Sequence, residues 1–293
     1  MAERSTEARH PSADGLHRVP AAEALARLLA AQTASLGCVL PALPALERAA
    51  VAATEALRSG GKLAYAGAGS SGVMALSDCL ELAGTFGIPP ERTPMLFAGG
   101  AAALLHMQGA VEDDPALAAA DFARAGLGRG DAVICVSASG GTPYTVEVAR
   151  LARAEGSTVI GIANVGGSAL LAGADIPVLL ETGAEVVAGS TRLAAGTAQK
   201  AALNLISVLM GLGLGHVHDG FMVNLVADNA KLRDRAAGIV QALSGRDFSH
   251  AGAALEMTQG AVKLAILVAR GRSAAEAAED LQRTAGHLAP LMD

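Results

Sequence analysis

Lys62-Leu-Ala-Tyr-Ala-Gly-Ala-Gly-Ser-Ser-Gly-Val-Met-Ala-Leu-Ser-Asp-Cys-Leu-Glu-Leu-Ala83 opens as a strand and closes as a helix. Lys62 to Ala66 is a short apolar run ending in Gly67-Ala68-Gly69, and helical apolar spacing follows over about Gly72 to Ala83, with Ser70-Ser71 placed to cap it. The same unit recurs at Asp131 to Val136, which runs into Ser137-Ala-Ser-Gly-Gly-Thr142 and then a helix through Ala154. Further strands are expected at Thr93–Phe97, closed by Gly99-Gly100, at Thr158–Ala163 and at Ile176–Leu180, with Glu185–Ala188 as an extension. Strands alternating with helices predict an α/β fold with a doubly wound, parallel, five-stranded sheet. In such sheets ligands gather at the carboxyl ends of the strands, where both glycine- and serine-rich turns fall.

Outward from this centre the chain is helical. The first 20 residues are polar and read as an arm; Ala21–Leu36 and Leu43–Arg58 carry helical spacing. After Gly189 come long helices at Ala194–Gly215 and Phe221–Leu243, then short ones from Asp247 broken by Gly260, Gly271 and Gly286. The expected domains are therefore an N-terminal arm with helices (1–60), the α/β domain (61–243) and a small C-terminal helical bundle (244–293).

The 293 residues are 52% hydrophobic but only 2% aromatic, with no Trp, so the core is built from Ala, Leu, Val, Ile and Met. A net charge of −6 without a basic stripe excludes a nucleic-acid binder. Cys38, Cys79 and Cys135 are too few and too scattered for a disulfide framework or a zinc site, which points to a reducing cytosol. The N-terminus shows no apolar signal segment, and the most apolar stretch, Ala201–Gly215, is shorter than the ~20 residues that span a bilayer, so no membrane partner is expected.

The two turns suit a phosphate monoester. Glycines let backbone N–H groups converge, a helix N-terminus adds partial positive charge, and Ser and Thr add donors. The competing reading is plain N-capping by the same hydroxyls. Gly67-Ala-Gly-Ser-Ser-Gly72 also fits a dinucleotide pattern literally, but the acidic residue expected after a second strand is missing, and no P-loop signature is present. Candidate carboxylates are Glu81, alone on an apolar helix, and Glu112-Asp113-Asp114 ahead of Pro115, where acidic residues also make good caps. Glu81 lies ten residues beyond Ser71, or ~15 Å along an unbroken helix, so it does not touch a phosphate held at Ser71.

Gly189-Ser-Thr-Arg-Leu-Ala-Ala-Gly-Thr-Ala-Gln-Lys200 with Leu203-Asn204 resembles the signature of the N-acetylmuramic acid 6-phosphate etherase family. Gly67–Gly72, Ala98-Gly-Gly100, Glu112-Asp113, Ala138–Tyr144, Met222-Val223, Asn229–Leu232 and Ser5-Thr6-Glu7 fit the same pattern. The resemblance implies a sugar isomerase (SIS) fold, a homodimer with active sites near the interface, a phosphorylated amino sugar as substrate, and no metal or organic cofactor. It implies cleavage of a D-lactyl ether by elimination and hydration, in peptidoglycan recycling. Carried over, Glu81 matches the acid, Glu112 the second catalytic carboxylate and Asp113 its acidic neighbour; the apolar helix around Glu81 would raise its pKa. Gly69, Ser70, Ser71, Ser137, Ser139, Gly140, Thr142, Ser190, Thr191, Arg192 and Lys200 match substrate- and phosphate-binding positions. The chain departs from the pattern at Val73, Gly141 and Ala194, each in place of a cationic residue, at Leu82-Ala83-Gly84 and at His10. Those departures keep two other readings open: an isomerase or lyase on a different sugar phosphate, with His216 and His218 as ring-opening groups or as plain helix caps, and a non-catalytic phosphosugar sensor.

Overall fold

A computed structural model of the chain describes residues 5–107, 109–227 and 229–292. The chain divides into two units. The first holds the residues up to Cys79 and Glu91–Ser207; the second holds Leu80–Pro90 and everything from Val208.

In the first unit the elements run α1 (Ala21–Leu36), α2 (Leu43–Arg58), β1 (Leu63–Gly67), α3 (Gly69–Phe86), β2 (Met95–Phe97), α4 (Gly100–Leu105), α5 (Pro115–Ala125), β3 (Ala132–Ser137), α6 (Pro143–Ala154), β4 (Thr158–Ala163), α7 (Ala169–Gly173), β5 (Ile176–Leu179) and α8 (Ala194–Gly213). The C-terminal parts of α3 and α8 belong to the second unit. All five strands are parallel, in the order β2-β1-β3-β4-β5. The doubly wound reading therefore holds. The order reverses between β1 and β3, and at such a switch point the two loops leave the sheet in opposite directions and open a crevice.

Residues of one strand parity, Ala64, Ala66, Val133, Cys135 and Val159, pack with Phe122, Tyr144, Val148, Ala152 and Leu170 of α5, α6 and α7. The alternate parity, including Leu63, Tyr65, Ile134, Ile160 and Ile162, is fully buried too. α2 packs against β1, β3 and β5 through Leu46, Ala49, Ala50 and Ala53. Continuous apolar strands buried on both faces are what a parallel sheet requires.

Several boundaries shift. α3 begins at Gly69, so Ser70 and Ser71 lie inside its first turn instead of capping it; Gly69, at φ +51°, turns the chain directly from strand to helix. Glu185–Ala188 adds no strand. The helix expected from Phe221 begins only at α9 (Ala230–Ser244). A hairpin of β6 (Val217–His218) and β7 (Phe221–Met222) takes the earlier residues, because Asp219 and Gly220 both adopt positive φ and reverse the chain.

In the second unit α9, α10 (Phe248–Met257), α11 (Val262–Ala269) and α12 (Ala274–Arg283) bury Val223, Ile239, Val240, Ala254, Ile266, Leu267 and Leu288 in one core. Asn229, Asp247 and Ser273 cap α9, α10 and α12 from the position just ahead of each helix.

Candidate active site at the carboxyl ends of β1 and β3

β1 and β3 are neighbours, with Gly67 opposite Val136, so the loops that follow them open on one edge of the sheet. A hydrogen bond joins them directly: the Ala138 N–H donates to Ser71 Oγ at 3.2 Å, across 67 residues of sequence. Ser71 and Ala138 are both buried. The Ser71 oxygen is thus used between loops and not on its own helix.

The second turn is organised by Ser137. Its Oγ lies 2.8 Å from Thr142 Oγ1 and 3.5 Å from Ser139 Oγ, and it accepts the Gly140 N–H at 3.1 Å. Gly141 N–H donates to Ser139 Oγ at 3.1 Å. Gly140, at φ +62°, provides the left-handed step. α6 starts without a side-chain cap. The plain-capping alternative therefore fails for Thr142, and the positive end of α6 stays open to an anion.

Asn164, fully buried at the end of β4, holds this turn from behind. Its N–H donates to the Ala138 carbonyl at 2.9 Å, its amide N–H to the Leu180 carbonyl at 2.9 Å, and its Oδ1 accepts from Gln199 Nε2 of α8 at 2.9 Å.

Glu112 joins the first loop. A Cβ built on Gly69 would stand 2.5 Å from Glu112 Oε1, so the carboxylate lies against the first residue of α3 and would have to move to admit a side chain there. Partial burial raises the Glu112 pKa, and the neighbouring Asp113 charge raises it further. Asp113 is exposed. The capping expected of this acidic run is done by Asp114 alone, whose Oδ1 accepts the Ala116 and Leu117 N–H groups at 2.8 and 3.3 Å. Residue chemistry alone left Glu112 and Asp114 on equal terms, with only the family resemblance singling out Glu112; the structure separates them into a carboxylate at the loop and a helix cap.

Among the described residues, no hydrogen bond or ion pair joins Ser190, Thr191, Arg192 or Lys200 to the two loops. Ser190, Thr191 and Arg192 form the turn ahead of α8; Arg192 is exposed and has no hydrogen bond or ion pair among the described residues. Lys200 donates to Asn204 Oδ1 at 2.8 Å and stands 4.0 Å from buried Asp78. Asp78 also accepts from Tyr65 Oη and Ser207 Oγ at 2.9 and 3.0 Å. Glu81 is exposed in the single chain, so the apolar surroundings expected around it are not provided by its own helix. In the second unit, His216 hydrogen-bonds the backbone of Phe86, and burial, followed by the Lys263 charge, lowers its pKa to about 4.

Sequence reading missed Asn164 and Glu185. Glu185 is 1% exposed and accepts the Ala194 and Ala195 N–H groups of α8, both at 2.9 Å. Its only sequence signal is an isolated acidic residue in Gly183-Ala-Glu-Val-Val-Ala188.

Residues 41–164 match the SIS domain family. The chain is 43% identical over 285 residues to the N-acetylmuramic acid 6-phosphate etherase of Deinococcus radiodurans, covering 97% of this chain and 93% of that one. It is 41% identical to the protein of the same name from Rubrobacter xylanophilus (91% and 89% covered) and 37% to that of Geobacillus thermodenitrificans (99% and 98%). Among solved structures, a phosphoheptose isomerase from Francisella tularensis superposes with a TM-score of 0.47 at 21% identity, covering 64% of this chain and 97% of that one.

Proposed function

The chain belongs to the N-acetylmuramic acid 6-phosphate etherase family, and on that premise we propose that it is a carbon–oxygen lyase that splits the D-lactyl ether of N-acetylmuramic acid 6-phosphate. The products are N-acetylglucosamine 6-phosphate and D-lactate. The observation that carries the reading is the pair of loops tied together by Ser71 and Ala138 beside Glu112.

The phosphate rests on backbone amides and hydroxyls of Gly69, Ser70, Ser71, Ser137, Ser139, Gly140 and Thr142. In the ring-opened sugar the aldehyde acidifies the C2 proton. Glu112 removes it, and the freed electron pair forms the C2=C3 double bond as the C3–O bond breaks. A carboxylate whose pKa is raised holds an abstracted proton better than an ordinary one. Glu81 supplies the proton to the departing lactate oxygen. Water then adds across the double bond, OH to C3 and H to C2. The first step expels D-lactate with its oxygen protonated and the second consumes one water, so neither needs an oxidant or a reductant.

The decisive experiment incubates the protein with N-acetylmuramic acid 6-phosphate and assays D-lactate beside Glu81→Gln. Lactate from the native protein and none from the variant is the expected result. Tight binding of sugar phosphates without lactate from either would overturn it. That outcome would favour the second reading, a less anionic phosphosugar, which has one observation behind it: Val73 and Gly141 put no cation in either loop, and Ala194 is buried.

We further propose a homodimer. Leu25, Leu29 and Leu40, from α1 and the turn after it, are 66–69% exposed, and α8 exposes Leu205, Val208, Leu209 and Leu212 at helical spacing. A second copy would cover these stripes and give Glu81 the surroundings its own chain does not. The run 21–58 is apolar enough to span a membrane by length and composition, but its α2 half is committed to the sheet. Cys38, Cys79 and Cys135 are all free, which suits the reducing cytoplasm we propose for it, and the substrate we propose places it in peptidoglycan recycling.

A further inference from the structure

We propose that Glu185 is a positioning residue for this reaction: its carboxylate clasps the start of α8 and so holds Ser190, Thr191 and Arg192 where the phosphosugar meets them. The inference rests on the etherase reading and goes beyond it by giving a role to a residue outside every motif noted above.

A buried carboxylate is costly unless each oxygen is satisfied. Glu185 is satisfied by two charge-assisted bonds to the Ala194 and Ala195 N–H groups and by the positive end of a 20-residue helix. Four other helices of this chain, α5, α9, α10 and α12, are capped from the residue just ahead of them. α8 is capped from nine residues upstream, so this bond also closes a loop.

Inside the clasp the chain folds back on itself. Ser190 N–H donates to the Val187 carbonyl at 2.9 Å, Thr191 N–H to Gly189 at 3.0 Å, Leu193 N–H to Ser190 at 3.1 Å and Gly196 N–H to Thr191 at 2.8 Å. From outside, the Gly189 N–H donates to the carbonyl of buried Thr6 at 3.2 Å. The turn is therefore held at both ends, and the side chain it presents is Arg192, a cation with no ion pair among the described residues. Glu185 also occupies the anion-attracting end of α8, while that of α6 is left without a side-chain cap.

The test is a double-mutant cycle on Glu185→Gln and Arg192→Ala, with thermal melts to verify folding. Gln keeps the shape, but one of its ends turns a donor toward a backbone donor. Glu185→Gln should raise KM about tenfold or more while kcat stays within about threefold, the pattern of lost binding geometry. Because Glu185 acts through Arg192, the double variant should have the KM of Arg192→Ala alone. An unchanged KM in Glu185→Gln, or effects that multiply, would overturn the proposal. Should Glu185→Gln fail to fold, Gly189→Ala loosens the same turn from its other end. Gly189 sits at φ +74°, and an added Cβ would stand 3.0 Å from Glu7 Oε2. The same KM rise and the same masking by Arg192→Ala are then expected, and their absence is equally fatal. If the native protein releases no D-lactate, the etherase reading has failed separately, and the same cycle is read on N-acetylglucosamine 6-phosphate binding by calorimetry.

Discussion

Replacing Gly69 with Ala tests the core of the active-site geometry, because two effects at that position can be separated. The first is backbone strain. Gly69 sits at φ +51°, and a residue with a Cβ pays about 1–2 kcal/mol there. The second is collision. The new Cβ would be 2.5 Å from Glu112 Oε1, so the carboxylate must swing away. Gly126, the C-cap of α5, supplies the control. Its φ is +57°, and the nearest atom to a built Cβ is Lys62 Nζ at 3.8 Å, an ordinary contact. Gly126→Ala should therefore suffer the strain without the collision. Both variants are expected to melt roughly 2–8 °C lower. Only Gly69→Ala should lose turnover, by about 100-fold, the lower end of what a positioned proton-transfer group contributes. D-lactate release at saturating substrate measures it. If Gly69→Ala keeps the turnover of Gly126→Ala, the apposition of Glu112 to the first loop plays no part in catalysis and the site reading is wrong.

Ser71→Ala leaves the buried Ala138 N–H without its acceptor, which should cost about 1–3 kcal/mol in urea unfolding and raise KM as the two loops part; an unaltered KM would mean that the bond between them is incidental. For His216 the sign follows from a folded pKa of about 4 against 6.5: the unfolded imidazole takes up its proton first, so the stabilisation is complete above pH ~6.5 and fades as the pH falls toward 4. The loss is on the order of 3 kcal/mol at most. Thermal melts between pH 7.5 and 4.5 should show a shallower acid-side decline for His216→Asn than for the native protein, and parallel curves would contradict this.

Much of the fold was written locally. Gly67–Gly72 and Ser137–Thr142 announce strand–turn–helix junctions because a glycine tolerates the positive φ that such junctions need, as Gly69 and Gly140 then do. α1 and α2 begin and end where the helical spacing said they would, and β4 spans Thr158–Ala163 as expected. The hairpin of β6 and β7 was hidden because its strands are only two residues each, too short for any periodicity to register.

The amino-acid order by itself determined the alternation of strands and helices, the position of the two small-residue turns and membership of the family, since each depends on residues close together in the chain or on a long unbroken signature. Only the tertiary structure decided that β1 and β3 are neighbours, that Ser71 meets Ala138, that Glu112 rather than Asp114 faces the first loop, that Lys200 turns to Asp78, and that Glu185 reaches α8. These are pairings between positions from nine to more than a hundred residues apart. Strand order and burial bring them together, and the spacing of apolar residues along a segment carries no record of which segment will lie beside it.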